Sequence, residues 1–401
     1  MALRGALFVL TASVVTGCVT ITQPSAPIPP VPDIPASQSG QAQYTEVTWE
    51  ALPGWREDAS HEVWPAFVVG CKALTRGASN ATWQRVCNAT ASVDASDPAS
   101  VRAFFEVNFS PYRITTQDGA DQGLVTGYYE PLLVGSRTRS ERYRVPLYSP
   151  PDDLLTIDVS ELYPELKNRR LRGRVVGRRV VPYWARADID AGRAPVSGHE
   201  LVFVDDPVEA FFLEIQGSGR IQLEGGEVVR LGYADQNGHP YRAIGAVLAE
   251  RGAMPIERTS MQNIREWGRR HAAELPELLA NNPSYVFFRE VPPFGPGSIE
   301  ASIDGPIGSL GIPLLARRAI AVDTRSVPLG APVYLATTYP STTRPLQRLV
   351  MAQDTGGAIR GAVRADFFWG FGSEAGQEAG RMRQQGAMWL LWPRGSRPRA
   401  Q

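Results

Sequence analysis

The stretch from Leu349 to Gly372 restricts the possible folds more than any other part of the chain. An apolar run ends on Asp354, Gly356, Gly357 and Gly361 follow closely, and Asp366 stands just before Phe367, Phe368 and Trp369. Such glycines let a strand turn tightly and approach another chain or a ligand. The expected architecture is therefore short strands with abrupt turns. The 38 glycines and 33 prolines, with only moderate charge, also favour turn-rich β structure over a helical bundle. An acid in such a turn beside aromatics can be a partly desolvated proton donor. These residues equally allow a β-turn whose aspartates cap backbone N–H groups.

At 401 residues the chain has room for two or three domains. Its formal charge is zero and its pI near 6.9, so no global pull toward nucleic acid or a membrane surface is implied. Residues 1–18 read as an export signal: Arg4 supplies the positive end and Gly5 to Val15 an apolar run too short to span a bilayer. The run ends Val15-Thr16-Gly17-Cys18, which resembles a bacterial lipobox and implies lipid attachment at Cys18. An ordinary signal peptide with an incidental cysteine is the alternative. Val19, in place of Asp, implies the outer membrane as destination, with the protein facing the periplasm. Residues 19–43 are rich in Pro, Ser, Ala and Gln and should form a semi-rigid tether, reaching roughly 70 Å if fully extended.

Val63 to Thr75 and Ala81 to Asn88 have helical patterns and carry Cys71 and Cys87. Outside the cytoplasm these two would most simply pair; two buried free thiols are the alternative. Asp97 and Pro98 form a cap and first turn that open a helix. Leu124 to Thr126 has strand character, Gly127 is expected to turn the backbone, and Tyr128 and Tyr129 can either pack or stack on sugar faces. The basic run from Lys167 to Arg179 is broken by Gly173 and Gly177 and reads as a hairpin with a solvated arginine face rather than a nucleic-acid patch. Asp206 to Gly219 alternates apolar and polar side chains into a Gly-Ser-Gly turn, which suggests a strand. It lacks the spacing of a phosphate loop. Arg242 to Arg251, and the Met261, Ile264, Trp267, His271, Leu275 series, predict two helices, the second running to about Leu279. Strand character returns at Tyr285 to Phe288, Leu310 to Leu314, Ala319 to Asp323 and Val327 to Leu335. Ser373 and Glu374 should cap a helix through Arg383, before a last strand at Met388 to Trp392.

Several chemistries can be weighed on these residues. His61, His199, His239 and His271 are scattered, with no pair at metal-ligand spacing, and no Gly-x-Ser-x-Gly elbow occurs. Asp354-Thr355-Gly356 matches an aspartic-protease triplet. That chemistry needs a second carboxylate sharing a proton, and no second triplet exists. Glycoside cleavage fits better, because one acid can protonate a leaving sugar oxygen.

Val125 to Pro131, Phe212 to Gly219, Asn282 to Phe288, Val322 to Gly330 and Asp354 to Asp366 together resemble the membrane-bound lytic murein transglycosylase A family, in order across about Leu124 to Leu391. Asp323, Asp354 and Asp366 match the three aspartates of that family's C-terminal domain. The resemblance implies a mainly β fold with flanking helices (α+β). A double-psi β-barrel would be built from residues 44–144 and 283–401, with a second small β-barrel domain inserted at 145–282 and a groove between them for a glycan strand. It implies cleavage of the β-1,4 bond between N-acetylmuramic acid and N-acetylglucosamine of peptidoglycan without water, no cofactor, and cell-wall synthases among candidate partners. By resemblance Asp366 is the acid, Asp354 a second catalytic aspartate and Asp323 structural. Tyr128, Tyr129, Gln216 and Ser218 are the expected glycan contacts. The competing class is a wall-binding lipoprotein without catalysis.

Overall fold

The computed structural model describes residues 1, 42–76, 81–163, 166 and 171–399. The export segment, Cys18, most of the tether, and Lys167, Arg169 and Arg170 of the basic run lie outside the described residues.

The chain enters with β1 (Gln43–Glu46) and continues through helices α1 (Trp64–Leu74), α2 (Ala81–Ala89) and α3 (Pro98–Asn108). α3 starts where Asp97 accepts from the N–H groups of Ala99 and Ser100 at 2.9 and 3.1 Å, with Pro98 in the first turn. Cys71 of α1 and Cys87 of α2 form a disulfide. β2 (Phe109–Thr115) and β3 (Gly123–Glu130) follow. The chain then leaves this sheet for β4 (Leu132–Ser136), β5 (Val145–Tyr148) and a hairpin sheet of β6 (Leu155–Ile157), β7 (Leu171–Val176) and β8 (Arg179–Pro182). Gly177, at φ +61°, makes the β7–β8 turn in the basic run.

After α4 (Arg186–Asp190) and β9 (Glu200–Val204) comes α5 (Pro207–Gln216). Here the structure replaces the expected strand by a helix. Asp206 accepts from Val208 and Glu209 N–H at 2.8 and 3.1 Å, and Gly217 ends the helix in the left-handed region at φ +75°. Val208 and Phe211 enter one buried cluster and Ala210 and Leu213 another, each pair three residues apart, so these apolar residues satisfy a helical period as well as an alternating one. β10 (Ser218–Leu223) and β11 (Val228–Gln236) lead into α6 (Ile244–Glu250), α7 (Met261–Arg270) and α8 (Leu275–Ala280), the expected long helix being broken after Arg270. β12 (Val286–Glu290) completes a six-stranded sheet in the order β12-β11-β10-β4-β9-β5. No ladder joins its edges β5 and β12 among the described residues. This sheet takes strands from Leu132 to Glu290 and so extends beyond the 145–282 interval on both sides.

The C-terminal strands are β13 (Ala319–Val322), β14 (Pro332–Thr338), β15 (Pro345–Asp354), β16 (Ala365–Phe371) and β17 (Arg383–Pro393), with α9 (Gly372–Arg381) before the last. Leu310 to Leu314 forms no strand, and no side chain caps α9 at its start. The eight-stranded sheet runs β1-β2-β17-β14-β15-β13-β16-β3, and a further pairing of β17 with β3 closes β17-β14-β15-β13-β16-β3 into a ring. Two neighbour pairs in it are parallel, β13 with β15 and β16 with β3. Val125, Leu335, Met351, Phe367, Trp369 and Leu390 from these strands belong to one buried cluster. Arg318, 2% exposed, ties this cluster to the N-terminal segment: it donates to Asp58, Glu62 and the carbonyls of Ala59 and Leu349. The two large sheets meet where β3 gives way to β4. There Arg220 of β10 donates to buried Glu130 at 2.8 Å and bidentately to Asp304 at 2.9 and 3.1 Å.

Candidate active site

Strand alternation builds the site. On β3, Val125 and Tyr129 belong to the ring's buried cluster, so Thr126 and Tyr128 lie on the other face. On β16, Ala365, Phe367 and Trp369 belong to the same cluster, which leaves Asp366 and Phe368 beside Thr126 and Tyr128. Register sets the rest. Asp366 pairs with Thr126 on β3 and with Ala321 on β13, and Ala321 pairs with Asp354 at the end of β15. Asp354, Ala321, Asp366 and Thr126 therefore form one row across four strands. The strands bearing the two carboxylates are two spacings apart, about 10 Å, with Ala321 on the strand between them.

Each carboxylate has its own partners. Thr126 Oγ1 donates to Asp366 Oδ1 at 2.5 Å. Tyr128 OH donates to Asp354 Oδ2 at 3.0 Å, and Ser309 donates to Asp354 Oδ1 through its N–H at 2.9 Å and its hydroxyl at 2.8 Å. Arg364 reaches Thr126 Oγ1 at 2.9 Å and also donates to the carbonyls of Leu124 and Ala365. Both aspartates retain part of their surface in solvent. Burial pushes the Asp366 carboxyl above its ordinary value, against the Thr126 hydrogen bond and the Arg364 charge, and the Asp354 charge adds to the rise. Burial likewise raises Asp354 against its Ser309, Thr355 and Tyr128 hydrogen bonds. The result is a carboxyl that holds its proton more readily than a surface aspartate while still touching solvent, as a proton donor requires.

The structure separates the remaining predicted residues. Tyr128 stands at the site, its ring 5.1 Å from that of Phe368. Tyr129 points into the core, 9% exposed, with its hydroxyl 3.4 Å from Met261 Sδ. Gln216, the last residue of α5, accepts from the Tyr129 N–H at 3.2 Å and so joins the six-stranded sheet's layer to β3. Ser218 is 8% exposed at the start of β10, opposite Gly232. Gly127 makes no turn: β3 runs straight through it, and a Cβ there would lie 2.6 Å from Trp369 Nε1 and 2.9 Å from Ala379 Cα. Its lack of a side chain lets α9 pack beneath the site. Asp366 is likewise the second residue of β16 rather than part of a turn. Asp323, 2% exposed, accepts from Arg325 Nη2 at 2.6 Å, Arg325 Nε at 3.0 Å and Gly361 N–H at 2.9 Å. Among the described residues no cluster of His, Cys, Asp or Glu could hold a metal ion.

Three polar partners were not singled out from the sequence. Thr126 sits inside the Val125 to Pro131 motif, and its position two before Tyr128 in a strand is the signal that it shares that face. Arg364 lies two before Asp366, in the segment that leads into β16. Ser309 follows Gly308 in a loop with no periodic pattern, and only the folded chain brings it to Asp354.

Comparison with known proteins bears on this arrangement. A family model described as the MltA specific insert domain matches residues 124–289, and one described as the 3D domain matches residues 318–392. Membrane-bound lytic murein transglycosylase A of Escherichia coli K12 is 33% identical over 274 residues, 66% of this chain and 64% of that protein. The chain thus spans less than two thirds of this curated relative. A solved structure of E. coli MltA with bound chitohexaose is similar at a TM-score of 0.58 and 26% identity, over 89% of this chain and 95% of that one. The lytic transglycosylase LtgG of Burkholderia pseudomallei is 45% identical at a TM-score of 0.60, over 89% and 97% of the two chains. Crystalline MltA from Neisseria gonorrhoeae is 36% identical at a TM-score of 0.78, covering 92% of this chain and 100% of that one. With a relative of that identity matched along its whole length, and both domain models found in order, the chain belongs to the membrane-bound lytic murein transglycosylase A family.

Proposed function

We propose that this protein is a lytic transglycosylase that cleaves the β-1,4 bond between N-acetylmuramic acid and N-acetylglucosamine of peptidoglycan, leaving 1,6-anhydromuramoyl ends. The single observation that carries this is Asp366: a carboxyl raised by burial, partly open to solvent, fixed by Thr126 and standing in one row with Asp354. The chitohexaose bound to E. coli MltA, a β-1,4 chain of amino sugars, supports a glycan strand as the occupant.

In this reading Asp366 gives its proton to the departing O4 oxygen of N-acetylglucosamine as the C1–O4 bond breaks. The C6 hydroxyl of the same muramic acid attacks C1, forming the C1–O6 bond, and its proton passes to the Asp366 carboxylate, which restores the acid. Because the nucleophile is tethered within the sugar, its effective concentration is high and no second carboxylate is needed to attack or to position water. Asp354 stabilises positive charge at the reacting sugar, and Tyr128, fixed by Asp354 and packed at a tilt against Phe368, offers a ring for a sugar face. Gln216 and Ser218 would line the glycan path from the inserted domain. Lipid attachment at Cys18 would hold the enzyme on the outer membrane, facing the wall it remodels alongside cell-wall synthases.

The test is incubation of purified protein with murein sacculi. Anhydromuropeptides should appear with wild type and be nearly lost with Asp366→Asn, while sacculus binding persists. Binding without release by wild type would leave the non-catalytic wall-binding reading in its place.

A further inference from the structure

We infer that Arg364 is a positioning residue that, through Thr126, fixes which oxygen of Asp366 carries the transferred proton. This rests on the catalytic reading of Asp366 given above. The argument follows from donor and acceptor capacity. A guanidinium can only donate, so at 2.9 Å Arg364 Nη2 must use a lone pair of Thr126 Oγ1. Thr126 has one hydroxyl proton, and Asp366 Oδ1, at 2.5 Å, is the acceptor recorded for it among the described residues. The proton is therefore directed at Oδ1, and Oδ2 is left to hold and release the acid proton. Arg364 is itself anchored by the carbonyls of Leu124, on the neighbouring strand, and Ala365. Its head is thereby held where it orients the threonine without taking a direct hydrogen bond to the acid. A direct bidentate pair would keep the carboxylate ionised, as Arg325 does for Asp323. The threonine interposes one hydroxyl and leaves the acid usable.

The groups facing Asp366 are few enough for the effect to be read. Asp354 comes from β15, Thr126 and Tyr128 from β3 and Arg364 from the approach to β16. β13 contributes Ala321, and Arg383 of β17 stands opposite Thr126 in register. α9 packs on the other face through Gly376 and Ala379. The Thr126 hydrogen bond and the Arg364 charge both hold the Asp366 carboxyl down against its burial, so removing either should raise it further.

The experiment uses the full-length protein, murein sacculi and four forms: wild type, Thr126→Val, Arg364→Met and Arg364→Lys. Rates of anhydromuropeptide release are measured against pH and sacculus concentration, with a melting temperature for each. Thr126→Val and Arg364→Met should each lower kcat about 10- to 100-fold, change half-saturation less than about 3-fold, and move the alkaline limb of the pH profile upward. Arg364→Lys, which keeps a charged donor, should recover most of the loss. The double variant Thr126→Val/Arg364→Met should be no worse than either single one, because both break the same relay. If Arg364→Met fails to fold, Thr126→Val alone carries the limb test. An unmoved limb, or losses that multiply in the double variant, overturns the relay while wild-type activity stands. Wild type that forms no anhydro ends overturns the catalytic reading of Asp366 itself.

Discussion

Asp323, just past the end of β13, and Asp366, on the neighbouring β16, differ in what surrounds them. Burial pushes both upward. At Asp323 the Arg325 guanidinium and two backbone N–H groups outweigh it and hold the carboxyl below its ordinary value. At Asp366 a single hydroxyl, and a guanidinium that bonds that hydroxyl rather than the acid, do not, and the carboxyl is held above. The first, held below the ordinary carboxylate range, ties the β13 exit to the Gly356–Gly361 loop. The second can trade a proton. Burial raises both, and the direct guanidinium and N–H partners present at Asp323 and, among the described residues, missing at Asp366 help divide a strut from an acid.

That contrast can be broken at either end. The largest expected effect is at the acid: Asp366→Asn should cut anhydromuropeptide release about 10³-fold while leaving the melting temperature equal or higher, since a buried carboxyl is removed. Next comes the strut. Asp323→Ala should cost about 2–3 kcal/mol of stability, because Arg325 and the Gly361 N–H lose a charged acceptor; denaturant titration measures it, and specific activity of the folded fraction should change less. Asp354→Asn should lower release about 10-fold, with Ser309 and Tyr128 still able to bond the amide. Smallest are the pH effects, which carry opposite signs. Asp323, held low, contributes stability above the ordinary carboxylate range, and this is lost as pH falls through its depressed value. Asp366 and Asp354, held high, make the folded state gain stability as pH falls through their raised values. On acidification the stability deficit of Asp323→Ala relative to wild type should therefore shrink, and any stability advantage of Asp366→Asn should shrink as well, the two variants approaching wild type from opposite sides.

Much of the acid row could be read from the chain, and its limits are physical. Asp354 and Asp366 stand out because glycines and aromatics flank them, and Asp97 with Pro98 announces a helix from adjacent residues alone. Asp206, Pro207 and Gly217 carry the same start and stop signals, yet the alternation between them obscured α5. The Tyr128–Tyr129 pair could not be divided until the register showed which face each strand turns to the core. Partners far apart in sequence left no mark. Arg220 lies 90 residues from Glu130 and 84 from Asp304, and Ser309 lies 45 from Asp354. No local pattern encodes such pairings, which depend on how the two large sheets meet.

The central claim is that one carboxylic acid expels a sugar while the neighbouring muramic acid closes a ring on itself. Mass analysis of muropeptides released from sacculi in ¹⁸O-labelled water tests it directly. The account predicts 1,6-anhydromuramoyl ends without label from wild type and almost none from Asp366→Asn. Reducing muramic acid ends carrying the label, or equal release by the variant, would contradict it.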